Sequence, residues 1–195
     1  MLSSFPVGAT LCGWIGAVEW ARVRAMRALF VAFVFVLLGA GPAALAASPQ
    51  ARYEAGLEAY QRGEDARALE IFKRLVTRGD PGAEFMLGAM YFYGRGVRRN
   101  DGIAAVWFHK AANQGNREAQ LAYGSLLIQG VGARQDIVKA HMWLSLVVET
   151  GDAVLREHAV RLRDQAVKLM TADELADARR RARDFRPRRA GLAWP

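Results

Sequence analysis

The chain has 195 residues, of which 52% are apolar, with one cysteine, a formal net charge of +8 and an isoelectric point near 10.2. This length supports one domain with appendages and excludes a second globular domain. Acidic and basic side chains balance over residues 47–178, whereas arginines cluster from Arg179 onward. The basic character therefore predicts a charged C-terminal tail and not a basic folded body.

The N-terminal stretch "ARVRAMRALFVAFVFVLLGAGPAALAAS" has the features of a secretory signal. Basic residues precede the apolar run 28–38, and residues 44–46, "ALA", have the small-x-small pattern that a signal peptidase reads. The apolar run is shorter than the about 20 residues that a membrane-spanning helix needs. We expect residues 1–46 to be removed by cleavage between Ala46 and Ala47 and the chain to become periplasmic or secreted. An uncleaved segment anchored in the inner membrane is the alternative.

The first 25 residues do not have the basic start of a signal sequence, whereas Met26 and Arg27 open one of the usual kind. We therefore expect translation to start at Met26. Cys12 is the only cysteine and precedes the expected cleavage point. The mature chain is expected to contain neither a disulfide nor a thiol nucleophile.

A period of 36 residues runs through the rest of the chain. Gly79, Gly115 and Gly151 recur at this interval. The same offset relates Gly88 to Gly124, Gly94 to Gly130, Gly96 to Gly132, Ala83 to Ala119, Trp107 to Trp143 and Asn100 to Asp136. Self-similarity at such a period is the sequence signature of stacked supersecondary units.

Each unit is predicted to be a pair of helices joined by a Gly-x-Gly loop. Ala83 and Leu87 share one face of the first helix, which Gly94 ends as a C′ glycine. Asn100 and Asp136 are the expected N-caps of the second helices in the two units, because their side chains can accept hydrogen bonds from the free N–H groups of a first turn.

Shorter helical segments flank the two units. Residues 47–81 keep the register without the Gly-x-Gly loop, so we expect an N-terminal capping helix pair there. Downstream, Leu155, Leu162, Ala166 and Leu169 predict one apolar helix stripe.

The last predicted helix begins at a capping box. Thr171 and Glu174 have the Thr-x-x-Glu spacing of that motif, and Pro187 stops the helix. Residues 154–186 are expected to cap the stack with helices, and residues 187–195 to form a basic tail.

The two complete units, residues 82–117 and 118–153, are similar to SEL-one-like repeats, relatives of the tetratricopeptide repeat. The resemblance is carried in the first unit by Ala83, Leu87, Gly88, Tyr91, Gly94, Gly96, Val97, Trp107, Ala111, Ala112 and Gly115, and in the second by Ala119, Gly124, Gly130, Gly132, Asp136, Lys139, Ala140, Trp143 and Gly151. It implies an all-α fold, a short right-handed α-solenoid of antiparallel helix pairs, and a role as a protein-binding scaffold.

Three aromatic residues belong to the repeated pattern. Tyr91 and Trp107 of the first unit, and Trp143 of the second, stand at positions that belong to the repeated pattern. Side chains that recur in register pack against their neighbours in a stack, so these three are expected in the core.

Side chains that differ between the units at equivalent positions are the candidates for partner recognition. Phe92 and Tyr93 correspond to Ile128 and Gln129. In solenoids of the resembled family the first helix of each pair lines the concave side, so these four residues, with Glu84, form the predicted partner-binding surface. The alternative is that they fill gaps beneath the next repeat.

No motif in the sequence predicts catalysis or a cofactor. The Gly-x-Gly loop follows a helix and lacks the Lys-Ser/Thr of a phosphate-binding loop. His109, His141 and His158 lack metal-ligand spacing, and Ser125 and Ser145 fall within predicted helices. We expect no catalytic residue, no cofactor and no metal. A cell-envelope hydrolase acting on peptidoglycan or a lactam is the alternative class.

The expected function is that of an exported scaffold or adaptor that mediates protein–protein interaction in the cell envelope, holding a protein or peptide in its concave groove. Export argues against nucleic acid as a partner. The arginine-rich stretch "RRRARDFRPRR" suits an additional contact with an anionic membrane surface. A membrane-anchored structural subunit is a further alternative, and the oligomeric state is left open.

Overall fold

A computed structural model of the chain describes residues 48–188. The predicted start at Met26, the signal segment and the cleavage site lie outside the described residues. Within them the chain forms eight α-helices and no β-strand. In chain order these are α1 (Pro49–Gln61), α2 (Asp65–Val76), α3 (Pro81–Tyr93), α4 (Asp101–Asn113), α5 (Arg117–Gln129), α6 (Ile137–Thr150), α7 (Ala153–Val167) and α8 (Ala172–Asp184).

The first six helices pack as consecutive pairs. α1 packs on α2, α3 on α4, and α5 on α6. Each pair then packs on the next one, through α2 with α3, α4 with α5 and α6 with α7. The predicted all-α solenoid of helix pairs is confirmed, because the helices pack in consecutive pairs and each pair packs on the next.

Large apolar side chains fill the spaces between the helices. Phe72 and Met90 are fully buried in the cluster around α2 and α3, and Leu144 is fully buried in the cluster around α6 and α7. Trp143 is 3% exposed, in agreement with the prediction for the repeated aromatic residues. Tyr91 and Trp107, also expected in the core, are only partly buried at the edge of the cluster around α2 and α3.

The ends of the repeat helices follow the predicted chemistry. Asn100 and Asp136 each accept a hydrogen bond, at 2.9 Å, from the backbone N–H three residues later. Gly94 and Gly130 end α3 and α5 with φ angles of 71° and 69°. This left-handed conformation is accessible to glycine without a steric cost, so the predicted C-terminal glycines are confirmed.

The C-terminal helices depart from the regular stack. α8 begins with the predicted capping box of Thr171 and Glu174, and it packs chiefly on α6. The chain after α8 crosses to the end of α4, where the Arg188 N–H donates to the Asn113 carbonyl at 2.8 Å. α8 therefore covers the side of the second repeat instead of adding a further regular helix pair.

One position of the predicted apolar stripe is wrong. α7 ends at Val167, and Leu169, in the turn that follows, is 63% exposed. Ala166 is fully buried, and Leu155 and Leu162 are partly buried in the cluster around α6 and α7. Leu169 leaves that face because the helix stops two residues before it.

Candidate functional site

Phe92 and Tyr93 end α3 beside the Gly-x-Gly loop. Their rings meet edge to face, with centroids 5.1 Å apart. Phe92 is partly buried, 6.5 Å from the Phe108 ring, whereas Tyr93 is 67% exposed. The guanidinium of Arg99 lies 5.6 Å from the Phe92 centroid. Packing inside the protein thus holds an aromatic pair at the surface with a cation beside it, an arrangement that suits partner contact.

Ile128 and Gln129 hold the equivalent positions at the end of α5. Ile128 is partly buried against the cluster that contains Leu144, and its carbonyl accepts a hydrogen bond from Gln135 Nε2 at 2.8 Å. Gln129 is exposed and donates to Ser125 Oγ at 3.0 Å. The structure brings Phe92 and Tyr93 into contact with each other and sets Ile128 and Gln129 one repeat further along the chain, so successive repeats present different chemistry at the same place.

Glu84 lies inside the α3–α4 pair and not on the surface. Its side chain is 0% exposed. The Lys110 ammonium lies 2.8 Å from Glu84 Oε1, and Gln114 Nε2 donates to Oε2 at 2.5 Å. A partner outside the fold would touch Phe92 and Tyr93 before this carboxylate. Glu84 is thus held between α3 and α4, whereas the sequence pattern placed it on the partner-binding surface.

Lys110 is a residue of this site that the sequence analysis missed. Its ammonium pairs with Glu84 and lies 5.0 Å from the centroid of the Trp107 ring. Glu84 and Lys110 are on different helices, so no local spacing connects them. The corresponding residues of the second unit are Gln120 and Leu146, so the pair belongs to one repeat alone.

The Gly-x-Gly loops join each repeat to the one before it. A Cβ on Gly96 would lie 2.9 Å from the carbonyl oxygen of Asp65, at the start of α2. A Cβ on Gly132 would lie 2.5 Å from the carbonyl carbon of Asp101, at the start of α4. The second glycine of each loop therefore allows the loop backbone to lie close against the start of a helix in the preceding pair.

Arg95, between the two glycines of the first loop, strengthens this junction. Its guanidinium donates to the Tyr60 carbonyl at 2.7 Å and to Asp65 Oδ1 at 2.6 Å, and it lies 3.6 Å from the centroid of the Tyr60 ring. The second loop has Val131 instead. This difference between the copies was the signal in the sequence that could have identified Arg95.

Two histidines are shielded between helices. His141 is 3% exposed, and its Nδ1 lies 3.3 Å from Ser145 Oγ on the next turn of α6. Burial is the main cause that lowers the pKa of His141, with help from Arg163 and Arg179 and some opposition from Asp164. The neutral imidazole and the hydroxyl therefore make a contact inside the fold.

His109, on α4 of the first repeat, is held by an aromatic stack against the second repeat. Its ring lies 4.8 Å, centroid to centroid, from that of Tyr123. Burial chiefly lowers the pKa of His109, and the charges of Lys139 and Arg188 act in the same direction. Protonation of this ring would introduce a charge between packed helices.

The free energy of unfolding should fall when the pH drops below about 6.5, the ordinary pKa of histidine. Because the pKa values of His109 and His141 are lowered in the folded chain, the unfolded chain binds more protons in the window between the folded and unfolded pKa values. Stability therefore rises with pH across that window, by at most about 1.4 kcal/mol per pH unit for each histidine.

Urea denaturation at about pH 7.5 and about pH 5.5 measures this dependence. The double variant His109→Gln/His141→Gln should lose most of the difference between the two conditions. An equal difference in the variant and the unchanged protein would show that other groups are responsible.

Residues 48–188 contain no group of three or more His, Cys, Asp or Glu arranged to hold a metal ion. In the same range, none of the helices combines the length and the apolar character that crossing a membrane requires. The candidate residues at the ends of α3 and α5 carry aromatic, aliphatic and amide groups, which suit noncovalent contact with a partner.

A family model and a curated protein match parts of the chain. The model described as "Sel1 repeat" matches residues 81–116 and 117–146. A protein of Rhizobium meliloti (strain 1021), described as an exopolysaccharide production negative regulator, is 34% identical over 67 residues. That match covers 34% of this chain and 25% of the relative, so the chain matches about a quarter of the relative's length.

Two solved structures resemble this one. A protective antigen present in uropathogenic Escherichia coli strains, displaying an SLR fold, matches with a TM-score of 0.65 and 26% identity over 73% of this chain and 30% of its own. A Sel1 repeat protein from Oxalobacter formigenes matches with a TM-score of 0.52 and 31% identity over 62% of this chain and 36% of its own. In both cases the matched part is about a third of the relative.

Proposed function

We propose, from the premise that residues 81–116 and 117–146 are Sel1 repeats, that this protein is a scaffold that binds a protein partner in the cell envelope. The observation that carries the proposal is the aromatic pair of Phe92 and Tyr93. Tyr93 exposes 67% of its surface although it is a large side chain, while Phe92 beneath it is partly buried. Rigid aromatic side chains at the surface supply contact area with little loss of conformational entropy on binding.

The neighbouring residues extend this contact. Arg99 pairs with Asp101, with Nε 2.9 Å from Oδ1, which holds the guanidinium beside Phe92. One repeat further, Ile128 and Gln129 provide a different surface along the concave side that the partner would follow. A partner segment lying across both repeats would meet an aromatic contact first and an aliphatic and amide contact second, which gives the groove a direction.

The location of the scaffold is part of the proposal. The signal segment up to Ala46 directs the chain to the periplasm or medium, and the arginines of α8 attract acidic surfaces there. A regulatory adaptor of the envelope suits the name of the Rhizobium meliloti relative, a negative regulator of exopolysaccharide production. The role of such an adaptor is to bring proteins together, for which Sel1 repeats supply the surface.

Photo-crosslinking in living cells tests the proposal. With p-benzoyl-phenylalanine in place of Tyr93, we expect one main protein adduct, which mass spectrometry identifies. The same amino acid in place of Val154, which is also 67% exposed, is the matched control and should give no such adduct. Adding Phe92→Ala should remove most of the adduct while circular dichroism stays unchanged, because Phe92 positions the ring of residue 93.

Fractionation of the same cells tests the location. The adduct should appear in the periplasmic or secreted fraction, on a chain whose N-terminus is Ala47. Equal adducts at positions 93 and 154, or an adduct that survives Phe92→Ala, would contradict the binding surface. A cytoplasmic chain with residues 27–46 retained would contradict export and leave the binding result standing.

A further inference from the structure

The outward side of α4 carries an apolar surface that no other part of residues 48–188 covers. We call it the α4 outer face, made of Ile103, Val106 and the exposed edges of Trp107 and Lys110. Val106 is 64% exposed and Ile103 is 39% exposed. Branched apolar side chains exposed next to each other on one helix face indicate a contact surface.

The equivalent surface of α6 is covered by the chain itself. The positions of Val106, Trp107 and Lys110 are held in the next repeat by Met142, Trp143 and Leu146, which are 9%, 3% and 8% exposed. α8 packs along α6, and the Phe185 ring meets Trp143 edge to face at 5.1 Å. The second repeat thus shows that an amphipathic helix fits these positions.

On α2, in the preceding unit, the equivalent surface is exposed to water. On α2 the same three positions are Glu70, Ile71 and Arg74, of which Glu70 and Arg74 are exposed. Where water covers this face the chain has charged residues, and where a helix covers it the chain has apolar ones. Val106 of α4 follows the second pattern and Lys110 the first, whereas the middle position is apolar in all three helices. Val106 is apolar although the described chain does not cover it.

We propose that the α4 outer face docks an amphipathic helix of a protein partner, as α8 docks on α6, and that this partner helix is acidic where it passes the start of α4. The surface uses side chains other than the Phe92 and Tyr93 pair, so it adds a second interaction to the proposed scaffold.

The charged residues at the start of α4 indicate which charge the partner helix carries there. On α6 the N-cap is Asp136. Burial opposes the ionisation of this carboxyl, but hydrogen bonds from Lys139 favour it. The charges of Lys139 and Arg181 act in the same direction as these hydrogen bonds, so the pKa of Asp136 lies below its usual value. Arg181 of α8 is itself paired with Asp177, 2.7 Å away on the same helix. On α4 the N-cap is the neutral Asn100, and the exposed Arg98 beside it makes no ion pair within residues 48–188. Asp101, the first residue of α4, is paired with Arg99 at 2.9 Å, so Arg98 is the charge left for a partner at this end of the face.

A cavity of about 510 Å³ adjoins this end of the face. Its lining consists of Tyr91, Val97, Arg98, Arg99, Asn100 and Ile103. Arginine beside aliphatic and aromatic carbon suits a glutamate, whose methylene groups pack on the walls while its carboxylate meets a guanidinium. The last turns of α8 carry Arg179, Arg180, Arg181 and Arg183, so the α8 helix of a second copy would add positive charge near Arg98, which disfavours that partner.

Two helical peptides probe the face directly. Both span residues 171–188 and carry a lactam bridge on the outward side; one has the natural sequence and the other carries Arg181→Glu. With the full chain, fluorescence anisotropy should show that the Arg181→Glu peptide binds with a dissociation constant on the order of 10 µM and the natural peptide about tenfold more weakly. On an Arg98→Glu protein this order of the two peptides should reverse.

Matched protein variants locate the binding. Val106→Glu should weaken the Arg181→Glu peptide at least about tenfold, because it places a charge in the centre of the apolar contact. Val154→Glu, the same change at a valine of similar exposure (67%), should leave binding unchanged. Circular dichroism of both variants checks that they fold.

Three outcomes would overturn the proposal. The first is a lack of saturable binding by the Arg181→Glu peptide. The second is binding that Val106→Glu does not change, which would mean that the peptide replaces α8 on α6. The third is a concentration-dependent dimer of the full chain that Val106→Glu abolishes, which would make a second copy the occupant. The crosslinking experiment at position 93 tests the surface of Phe92 and Tyr93, so its result does not depend on these three outcomes.

Discussion

Replacing Lys110 with methionine is expected to lower the free energy of unfolding by about 3 kcal/mol, because it leaves the Glu84 carboxylate buried without its counter-charge. Glu84 is 0% exposed, and the ammonium of Lys110 is the only polar partner of its Oε1 within the described residues. Methionine keeps most of the length and apolar contact of the lysine stem, so the loss comes mainly from the charge.

The pairing with Glu84 is tested by a double-mutant cycle. Glu84→Gln combined with Lys110→Met should recover a large part of the stability, since a neutral amide can keep the hydrogen bond to Gln114 without requiring a cation. The interaction energy from the cycle then separates the ion pair from the packing of each side chain.

Lys139→Met is the matched control for this prediction. Lys139 pairs with Asp136 at 3.1 Å, but its side chain is 52% exposed, so its loss should cost about 1 kcal/mol or less. Urea denaturation of Lys110→Met, Glu84→Gln, their double variant, Lys139→Met and the unchanged protein gives the comparison. If Lys110→Met costs no more than Lys139→Met, the Glu84 carboxylate does not depend on Lys110.

Gly132→Ala is expected to cost about 3 kcal/mol or more, because it combines an unfavourable backbone conformation with a backbone overlap. Gly132 has a φ angle of 68°, and a Cβ there would lie 2.5 Å from the carbonyl carbon of Asp101 and closer still to its oxygen. Neither backbone can yield without moving the loop away from α4. We therefore expect lower stability and a weakened junction between the two repeats.

Gly130→Ala isolates the conformational part of this cost. Gly130 has nearly the same φ angle, 69°, but a Cβ there would lie 3.5 Å from the Cβ of Gln135, which is ordinary contact. Its loss of stability should be about 1 kcal/mol, the cost of the left-handed conformation alone. Chemical denaturation of both variants measures the difference. Equal losses would mean that the approach of the loop to Asp101 contributes nothing.

Much of the fold could be predicted from the sequence because its causes are local. Asn100 and Asp136 cap helices through atoms three residues away, and Gly94 and Gly130 end helices through their own φ angles. A pattern with a constant period also implies that neighbouring units pack alike, so the helix pairs and their stacking follow from one repeat applied again.

The candidate site was harder to predict because its residues meet only after the helices pack. Glu84 looks like an exposed acid on the first turn of α3, and its burial depends on Lys110 and Gln114 of α4. Phe92 and Tyr93 were singled out because the second repeat differs there, and their role in binding stays a prediction. No pattern within α3 shows which of its polar residues faces inward.

The two repeats, the helix ends and the loops follow from local sequence, since these depend on residues close together in the chain. The position of α8 on α6, and the equivalent face of α4 that the described chain leaves uncovered, follow from how the helices pack. The physical reason is that Val106 and Met142 occupy the same position in the period and have similar apolar character. What separates them is whether another helix lies over them, and that depends on the path of the whole chain.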